Sequence, residues 1–282
     1  MNSDFFTQHQ DGSAITPENI REMSYTDFVG FVNQWNVLPG AHTTLSEWAV
    51  HSRMDSRSRV LEVACTTGYS SRELARITGC SGVGIDISAP SVAMAKYNQG
   101  EYAPETALRY ECIDGYTFTD PQPFTHIVVG AALKFFPHPQ QMMDRCASFF
   151  ENEGYILASP FYIPTPIPEA LVERAKSVFD FTPTQEDYKT VMRLYQSYEI
   201  AYEHRQELIP ETEEELAYYC RCTIDRAAEM RNITNQSVVE AMYERLYTVK
   251  EMSNLLRPYQ RYAVLVLRYR KSVYPRRFVE LF

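Results

Sequence analysis

Long hydrophobic runs are absent from this sequence of 282 residues. No stretch approaches the roughly 20 apolar residues that a helix needs to cross a bilayer, so a membrane span is not expected. The first residues, MNSDFFTQHQDGS, contain no basic region followed by an apolar one, so no secretory signal is expected either. Both absences favour a cytoplasmic protein.

Clustered metal ligands are also missing. The six cysteines are scattered, and only two lie close together, at a spacing that directs them to different sides of a helix. The six histidines show no ligand spacing. The sequence therefore predicts neither a metal site nor a disulfide framework, and its cysteines are expected to be reduced thiols.

Positive charge is scarce in the chain as a whole. Lysine and arginine number 27 against 36 aspartates and glutamates, and the net charge of −9 opposes non-specific binding to nucleic acid. The charge is uneven, because glutamates crowd residues 199–215 and arginines crowd residues 257–277. Each group is expected to be a solvated surface; the alternative is that the two groups meet, within the molecule or across a dimer.

The most informative stretch that is present runs from Arg59 to Ser88. An apolar run containing Glu62 is followed by a turn of small residues over 64–68, a helical pattern, and a second apolar run that stops at Asp86. Strand, tight turn, helix and strand with a terminal acid form a nucleotide-type βαβ unit. The turn lets the backbone approach a ligand closely, and the terminal acid can accept both hydroxyls of a ribose.

In this segment the chain resembles the class I S-adenosylmethionine (SAM) methyltransferases, which read V-L-D-x-G-x-G-x-G. Glu62 falls at the acid, Ala64 and Thr66 at the first two glycines, and Gly68 at the third. The loss of two glycines argues more strongly against a dinucleotide site than against a SAM site, because SAM has no pyrophosphate that the turn must bind. Ala64 is expected to be tolerated with a negative φ. At Thr66 the loop is expected either to avoid positive φ or to turn the hydroxyl toward the ligand.

The resemblance covers residues 59–159 well and the remainder by the order of elements. It implies an α/β, Rossmann-like class I methyltransferase sheet, mostly parallel with an antiparallel last strand, plus a helical cap. Further strands are expected at 108–113, 126–130, 155–159 and 262–269, and a sixth at 199–209. The expected domains are an N-terminal helical lid (1–56), a SAM-binding core (57–160), a helical cap with the substrate region (161–258), and a last core strand with a basic tail (259–282).

The resemblance also implies a SAM site at the strand ends and turns. Asp86 is expected to bind the ribose and Asp114 the adenine amino group. Burying an unpaired charge is costly, so acids at these strand ends are expected to be buried and to have something to bind. The full set of expected cofactor contacts is Glu62, Ala64, Thr66, Gly68, Asp86, Ile87, Asp114, Gly115 and Gly130.

Acceptor contacts are expected beside the turn and in the proline-rich segment after the fifth strand, from Tyr69, Phe161, Tyr162 and Glu169. His42 is the candidate base, because its pKa lies near neutrality and the N-terminal lid would bring its loop to the site. The alternative is that His42 is a surface or packing residue. The 20 tyrosines and 15 phenylalanines suit an aromatic pocket for an apolar or cationic acceptor.

These features predict a SAM-dependent methyltransferase that moves a methyl group to an N, O or C atom of a small molecule, such as a natural-product intermediate. The expected product is S-adenosylhomocysteine (SAH). One alternative is a SAM-binding regulatory or scaffold protein that has lost catalysis. Another is an RNA or protein methyltransferase, for which the C-terminal arginines are the only support. No membrane partner is expected, and a homodimer is left open.

Overall fold

The computed structural model describes residues 15–36 and 38–275. Arg276 and Arg277 of the expected basic tail lie outside these residues. The helices are α1 (Pro17–Glu22), α2 (Tyr25–Phe31), α3 (Ala41–His51), α4 (Tyr69–Thr78), α5 (Ala89–Tyr102), α6 (Pro139–Ser148), α7 (Glu169–Phe179), α8 (Tyr188–Met192), α9 (Glu213–Met230) and α10 (Gln236–Leu256). The strands are β1 (Arg59–Val63), β2 (Ser81–Asp86), β3 (Leu108–Cys112), β4 (His126–Gly130), β5 (Glu153–Ala158), β6 (Phe161–Tyr162), β7 (Glu199–Glu207) and β8 (Arg261–Arg270).

The strands form one sheet in the order β3-β2-β1-β4-β5-β8-β7. The first five strands are parallel, whereas β8 runs antiparallel to β5 on one side and to β7 on the other. Short β6 pairs with β8 beyond the end of β5. The predicted fold class is confirmed, including the antiparallel last strand. The division into four domains stays a prediction.

Successive side chains along each strand point to opposite faces of the sheet, so the core has two layers, one on each face. Val60 and Val264 face the layer that contains Trp48 of α3 and Leu74 of α4. Their chain neighbours face the opposite layer, which contains the methionines of α6. Because both faces of a parallel sheet are covered, its strands read as nearly continuous apolar runs, which is why the sequence shows them clearly.

Local capping chemistry sets several helix starts. The Ser24 hydroxyl accepts the Asp27 N–H at 3.1 Å and caps α2. Gly40 adopts a left-handed conformation with φ of 78°, which lets α3 begin directly after it.

Helices α9 and α10 stand between β7 and β8, where a short hairpin is typical of the family. They pack against the N-terminal helices through an apolar cluster that includes Phe28, Ile224 and Met242. The cap and the N-terminal helices therefore share one core, which fixes α1 and α2 beside the sheet.

The acidic and basic segments meet within the molecule, so the expectation of two separate solvated surfaces is wrong. Strand β7 carries the glutamates alongside the arginines of β8. The pairs are Glu199 with Arg270 at 2.5 Å, Glu207 with Arg261 at 3.0 Å and Glu211 with Arg257 at 3.1 Å. Each exposed pair contributes only about 0.2–1 kcal/mol, but together they neutralise much of the basic segment.

Buried His126, the first residue of β4, predicts a loss of stability in acid. Its Nε2–H must donate to the Ser52 carbonyl at 3.2 Å, because a carbonyl only accepts. Burial lowers the pKa of the ring from 6.5 to about 4. The unfolded chain therefore takes up a proton in this window that the folded chain does not, and the free energy of unfolding falls as the pH drops.

We expect this loss to be on the order of 3 kcal/mol across the window. Urea denaturation at a series of pH values from neutral to acid measures it. His126→Gln removes the titrating ring, and its free energy of unfolding should depend less steeply on pH by that amount. Parallel pH dependences of the two proteins would contradict the prediction.

Candidate functional site

The turn between β1 and α4 keeps a glycine-type backbone without two of its glycines. Ala64, Thr66 and Gly68 all have positive φ, at 56°, 46° and 72°. The expectation of a negative φ at Ala64 is wrong, and Thr66 does not avoid the left-handed region. Ala64 and Thr66 are half-buried, whereas the intervening Cys65 and Thr67 are buried. The two substituted positions are therefore less enclosed than the residues between and after them.

Hydrogen bonds hold this turn in place. The Cys65 N–H donates to the Ile85 carbonyl at 2.9 Å, and the Gly68 N–H to the Cys65 carbonyl at 2.8 Å. The Thr67 hydroxyl donates to the Gln34 carbonyl at 2.8 Å. Left-handed backbone costs a non-glycine residue about 1–2 kcal/mol, so the surrounding contacts must offset strain at two positions. Strain of this kind persists where the surroundings over-determine the backbone, which is common at ligand sites.

Thr66→Gly is expected to raise the free energy of unfolding by about 0.5–1 kcal/mol, because relief of the strain exceeds the entropic cost of glycine. Urea denaturation of the two proteins measures the difference. The matched control is Thr67→Gly, which removes a buried hydroxyl that is hydrogen-bonded and should lower the free energy of unfolding. A destabilised Thr66→Gly protein would show that the threonine side chain makes contacts that outweigh the strain.

Glu62 braces the turn against α4. Its carboxylate is buried and its Oε2 accepts the Ser71 N–H at 3.0 Å, one of the unpaired donors in the first turn of that helix. Burial raises the pKa of Glu62, and hydrogen bonds from Ser71 and Ser70 oppose the shift. The residue therefore has a partner within the chain.

Asp86 ends β2 beside the turn. Its Oδ2 accepts the Thr66 N–H at 2.9 Å and its Oδ1 accepts the Ser88 N–H at 2.8 Å. The residue is 9% exposed, and burial raises the pKa of its carboxyl against the effect of these bonds. Each carboxylate oxygen retains a lone pair. Next to it, the apolar side chain of Ile87 is 75% exposed.

The other expected cofactor residues lie on the neighbouring strand ends. Asp114 follows β3 and is exposed, so the expectation that it is buried is wrong; its Oδ1 accepts the Tyr116 N–H at 2.9 Å. Gly115 is buried behind it. Gly130 ends β4 with φ of 50°, and its carbonyl accepts the Ser159 N–H at 2.8 Å.

Helix α2 reaches the carboxyl end of β2. The Ser88 hydroxyl donates to Asp27 Oδ1 at 2.6 Å, and the backbone N–H of the same serine donates to Asp86. Asp27 also contributes to the raised pKa of Asp86 as a nearby like charge. The N-terminal helices are thus connected to the strand end that carries the expected ribose acid.

The expected acceptor residues do not all come together. His42 lies exposed near the start of α3, with its ring edge-on to Tyr69 at 5.7 Å between centroids. Across the described part of the chain, no hydrogen bond orients the His42 ring. Phe161 and Tyr162 alternate on β6, so Tyr162 packs into the core against Tyr188 while Phe161 lies on the other face. Glu169 is exposed at the start of α7.

Sequence reasoning missed Lys134, in the segment that follows β4. Its ammonium lies over three phenyl rings, with Nζ 4.7 Å from the centre of Phe181, 5.1 Å from that of Phe135 and 5.6 Å from that of Phe161. Burial among these groups lowers the pKa of the amine from 10.5 to about 8, against the attraction of Glu186. Its position in the sequence could have indicated this residue, because the segment after the fourth strand lies within the part of the chain that resembles the methyltransferases.

The residues at this edge fit SAM. The Asp86 carboxylate offers acceptors for the two ribose hydroxyls. Ile87 offers an exposed apolar surface to a flat base, and Asp114 an acceptor for its amino group. Within residues 15–36 and 38–275, no cluster of three potential metal-ligating side chains occurs and no helix is both long and apolar enough to cross a membrane.

Comparison with known proteins also finds similarity to methyltransferases. A sequence profile described as "Methyltransferase domain" matches residues 60–154. No curated protein sequence matches the chain. Among solved structures, the chain is similar to the MccD protein, with 24% identity and a TM-score of 0.67 over 83% of this chain and 100% of that one.

A SAM-dependent methyltransferase from Geobacter sulfurreducens, solved with SAH, has 16% identity and a TM-score of 0.63 over 85% of this chain and 96% of its own. An N-methyltransferase from Haemonchus contortus, solved with phosphomonomethylethanolamine and SAH, has 12% identity and a TM-score of 0.63 over 90% of this chain and 61% of its own. At these identities the structural likeness is one of fold, whereas the profile matches the sequence itself. Residues 60–154 therefore carry a methyltransferase domain, and the strand order around them is that of the SAM-dependent methyltransferase structures to which the chain is similar.

Proposed function

We propose that this chain binds SAM at the carboxyl ends of β1 to β4 and transfers its methyl group to a small molecule. The observation that carries the proposal is the contact of Thr66 N–H with Asp86 Oδ2 at 2.9 Å, beneath a turn that keeps positive φ at three positions. Strained backbone in non-glycine residues clusters at ligand sites, which supports a ligand at this turn. Two of the solved structures of similar fold contain SAH.

SAM supplies a methyl carbon already activated by its sulfonium, so the chain mainly has to position the acceptor and exclude water. Asp86 would hold the ribose, Ile87 and Asp114 the base, and the turn from Ala64 to Gly68 the remainder of the cofactor. Glu62 would not contact the cofactor but would support the turn by accepting the Ser71 N–H of α4. Helix α2 closes the ribose side through Asp27.

The proposed acceptor side lies around Tyr69 and Phe161, with His42 as one candidate base. Two of the earlier candidates are not part of it, because Tyr162 packs in the core and Glu169 starts a helix at the surface. A small molecule is favoured over RNA because the arginines of β8 are paired with glutamates of β5 and β7, in a chain of net charge −9.

Calorimetric titration with SAM and with SAH tests the proposal. We expect both to bind with micromolar or tighter affinity, and SAH to accumulate when an acceptor is turned over. Failure of both ligands to bind the folded protein would overturn the proposal. Binding of both, without SAH formation across amines, phenols and carbon acids, would favour the SAM-binding scaffold instead.

A further inference from the structure

The Lys134 amine lies in an aromatic cage formed by three phenyl rings. Phe135, Phe161 and Phe181 surround it at 4.7–5.6 Å from their ring centres. No carboxylate within the described residues comes within ion-pairing distance of it. Lys134 as a whole residue is nevertheless exposed, and Phe135 beside it is 47% exposed, so the cage lies at the protein surface. Such an amine is available to a ligand.

The groups around the cage favour a neutral amine near pH 8. Glu186 is the anionic group that acts on Lys134 from the segment after α7, and its attraction is weaker than the effect of burial, which lowers the pKa of the amine to about 8. Tyr25, from α2, packs edge-on to Phe181 at 5.5 Å. Burial raises the pKa of the Tyr25 hydroxyl to about 12, so this group stays uncharged.

The cage adjoins the proposed SAM site. Lys134 follows β4 and Phe161 follows β5, so both stand at the carboxyl edge of the sheet, where Asp86 ends β2. One short helix connects the two places, because Tyr25 contacts the cage while Asp27, two residues further along α2, accepts the Ser88 hydroxyl beside Asp86. An acceptor in the cage would therefore lie next to the cofactor.

The charge of the cage selects among acceptor types. An aromatic cage commonly binds a cation, but here the chain supplies the cation itself, and a second one would be repelled. A carboxylate would need no base, because it is already ionised at neutral pH. A weakly acidic hydroxyl on an aromatic ring would use both features, since its ring can stack on phenyl groups and its oxygen can be deprotonated by the amine.

We propose that the acceptor is a phenol or a comparable aromatic hydroxyl, which binds between Phe135, Phe161 and Phe181 with its oxygen at the Lys134 amine. The proposal rests on the function proposed above. The hydroxyl proton passes to the neutral amine, and the oxygen forms its new bond to the methyl carbon with its own electron pair. The carbon–sulfur bond breaks with its pair left on sulfur, giving an aryl methyl ether and SAH. The ammonium then releases the proton to solvent.

The test uses 4-cyanophenol, whose ionised form is distinguished from its neutral form by absorbance, added to the SAH-loaded protein. We expect it to bind as the anion, with its pKa lowered by about one unit or more, because an ammonium contact stabilises an anion by about tenfold or more. Benzylamine, a cationic probe of similar size, should not bind. Lys134→Met should weaken 4-cyanophenol binding by about tenfold or more and abolish the ionised band.

Lys134→Arg distinguishes the effect of the positive charge at this position from the effect of a group that can accept a proton. Arginine keeps the positive charge but does not deprotonate, so this variant should bind the anion and yet lose the rise of kcat/KM through about pH 8 that the wild type shows with a phenol acceptor. The matched control is Lys250→Met on α10. Lys250 also lies over an aromatic ring, that of Tyr219 at 4.3 Å, and burial also lowers its pKa, but its ring partner is not one of the three cage phenylalanines. This variant should bind 4-cyanophenol as the wild type does.

The outcomes distinguish the two proposals. Absence of SAH binding overturns the proposed function and the phenol proposal with it. With SAH bound, the phenol proposal alone is overturned if 4-cyanophenol fails to bind, if Lys134→Met binds it unchanged, or if benzylamine binds more tightly. Loss of the ionised band in His42→Gln but not in Lys134→Met would assign the base to His42 instead.

Discussion

Asp86→Ala is expected to weaken SAH binding by about 10- to 150-fold, which corresponds to the loss of about 1.5–3 kcal/mol from hydrogen bonds between a charged acceptor and the ribose hydroxyls. The carboxylate lies at the end of β2, is 9% exposed, and has both oxygens fixed by backbone N–H groups. A ligand hydroxyl would therefore meet an acceptor that is already oriented. Calorimetric titration of both proteins with SAH measures the difference.

Asp86 also accepts the Thr66 N–H and so supports the turn. A second variant is therefore needed to distinguish loss of the ribose contact from loss of this support. Asp86→Asn retains the shape and one side-chain oxygen but removes the charge, and its loss of affinity should be smaller. Asp55→Ala is the control, since Asp55 pairs with Arg57 ahead of β1, at the opposite edge of the sheet, and should leave SAH binding unchanged. A folded Asp86→Ala protein with unaltered affinity would contradict the cofactor assignment.

Gly68→Ala is expected to lower the free energy of unfolding by about 2–5 kcal/mol, the sum of left-handed strain and overpacking. Gly68 has φ of 72°, and an added Cβ would lie 2.7 Å from the Tyr110 ring. That ring cannot withdraw easily, because its hydroxyl donates to the Gly68 carbonyl at 3.2 Å and contacts the Ser71 hydroxyl at 3.0 Å. The turn must shift, so SAH binding should weaken as well.

The matched control for this substitution is Gly100→Ala on α5. Nothing lies within 4 Å of a Cβ at that position, and its φ is not positive. Alanine there should raise the free energy of unfolding by about 0.5–1 kcal/mol, because glycine is a poor residue in a helix. Urea denaturation of the three proteins gives both differences. Equal stability of Gly68→Ala and the wild type would show that the turn can relax, and that Gly68 is not the position on which its shape depends.

The sheet could be predicted from the sequence because its signals are local. Strands covered on both faces read as apolar runs, and the acid that ends β2 stands directly after such a run. The Ser24 cap of α2 depends on residues within one helical turn. For β1, β2 and β8, the apolar run alone indicates the strand, and the predicted strands agree closely with the observed ones.

Backbone conformation in the turn could not be predicted from residue type. Ala64 and Thr66 disfavour positive φ, yet both adopt it, because bonds from Ile85, Asp86 and Gln34 fix the turn from outside. These partners lie 20 or more residues away along the chain. Tertiary contacts therefore override a local preference of about 1–2 kcal/mol.

The sequence by itself determined the succession of strands along the chain and the acid at the end of β2, because each depends on neighbours within a few residues; the fold class followed from the family resemblance. Only the tertiary structure decided which distant side chains meet. It separated Phe161 from Tyr162, exposed Asp114, and brought the arginines of β8 against the glutamates of β7. It also enclosed Lys134 between rings from three segments. Such contacts depend on how the chain closes on itself, which periodicity and spacing do not encode.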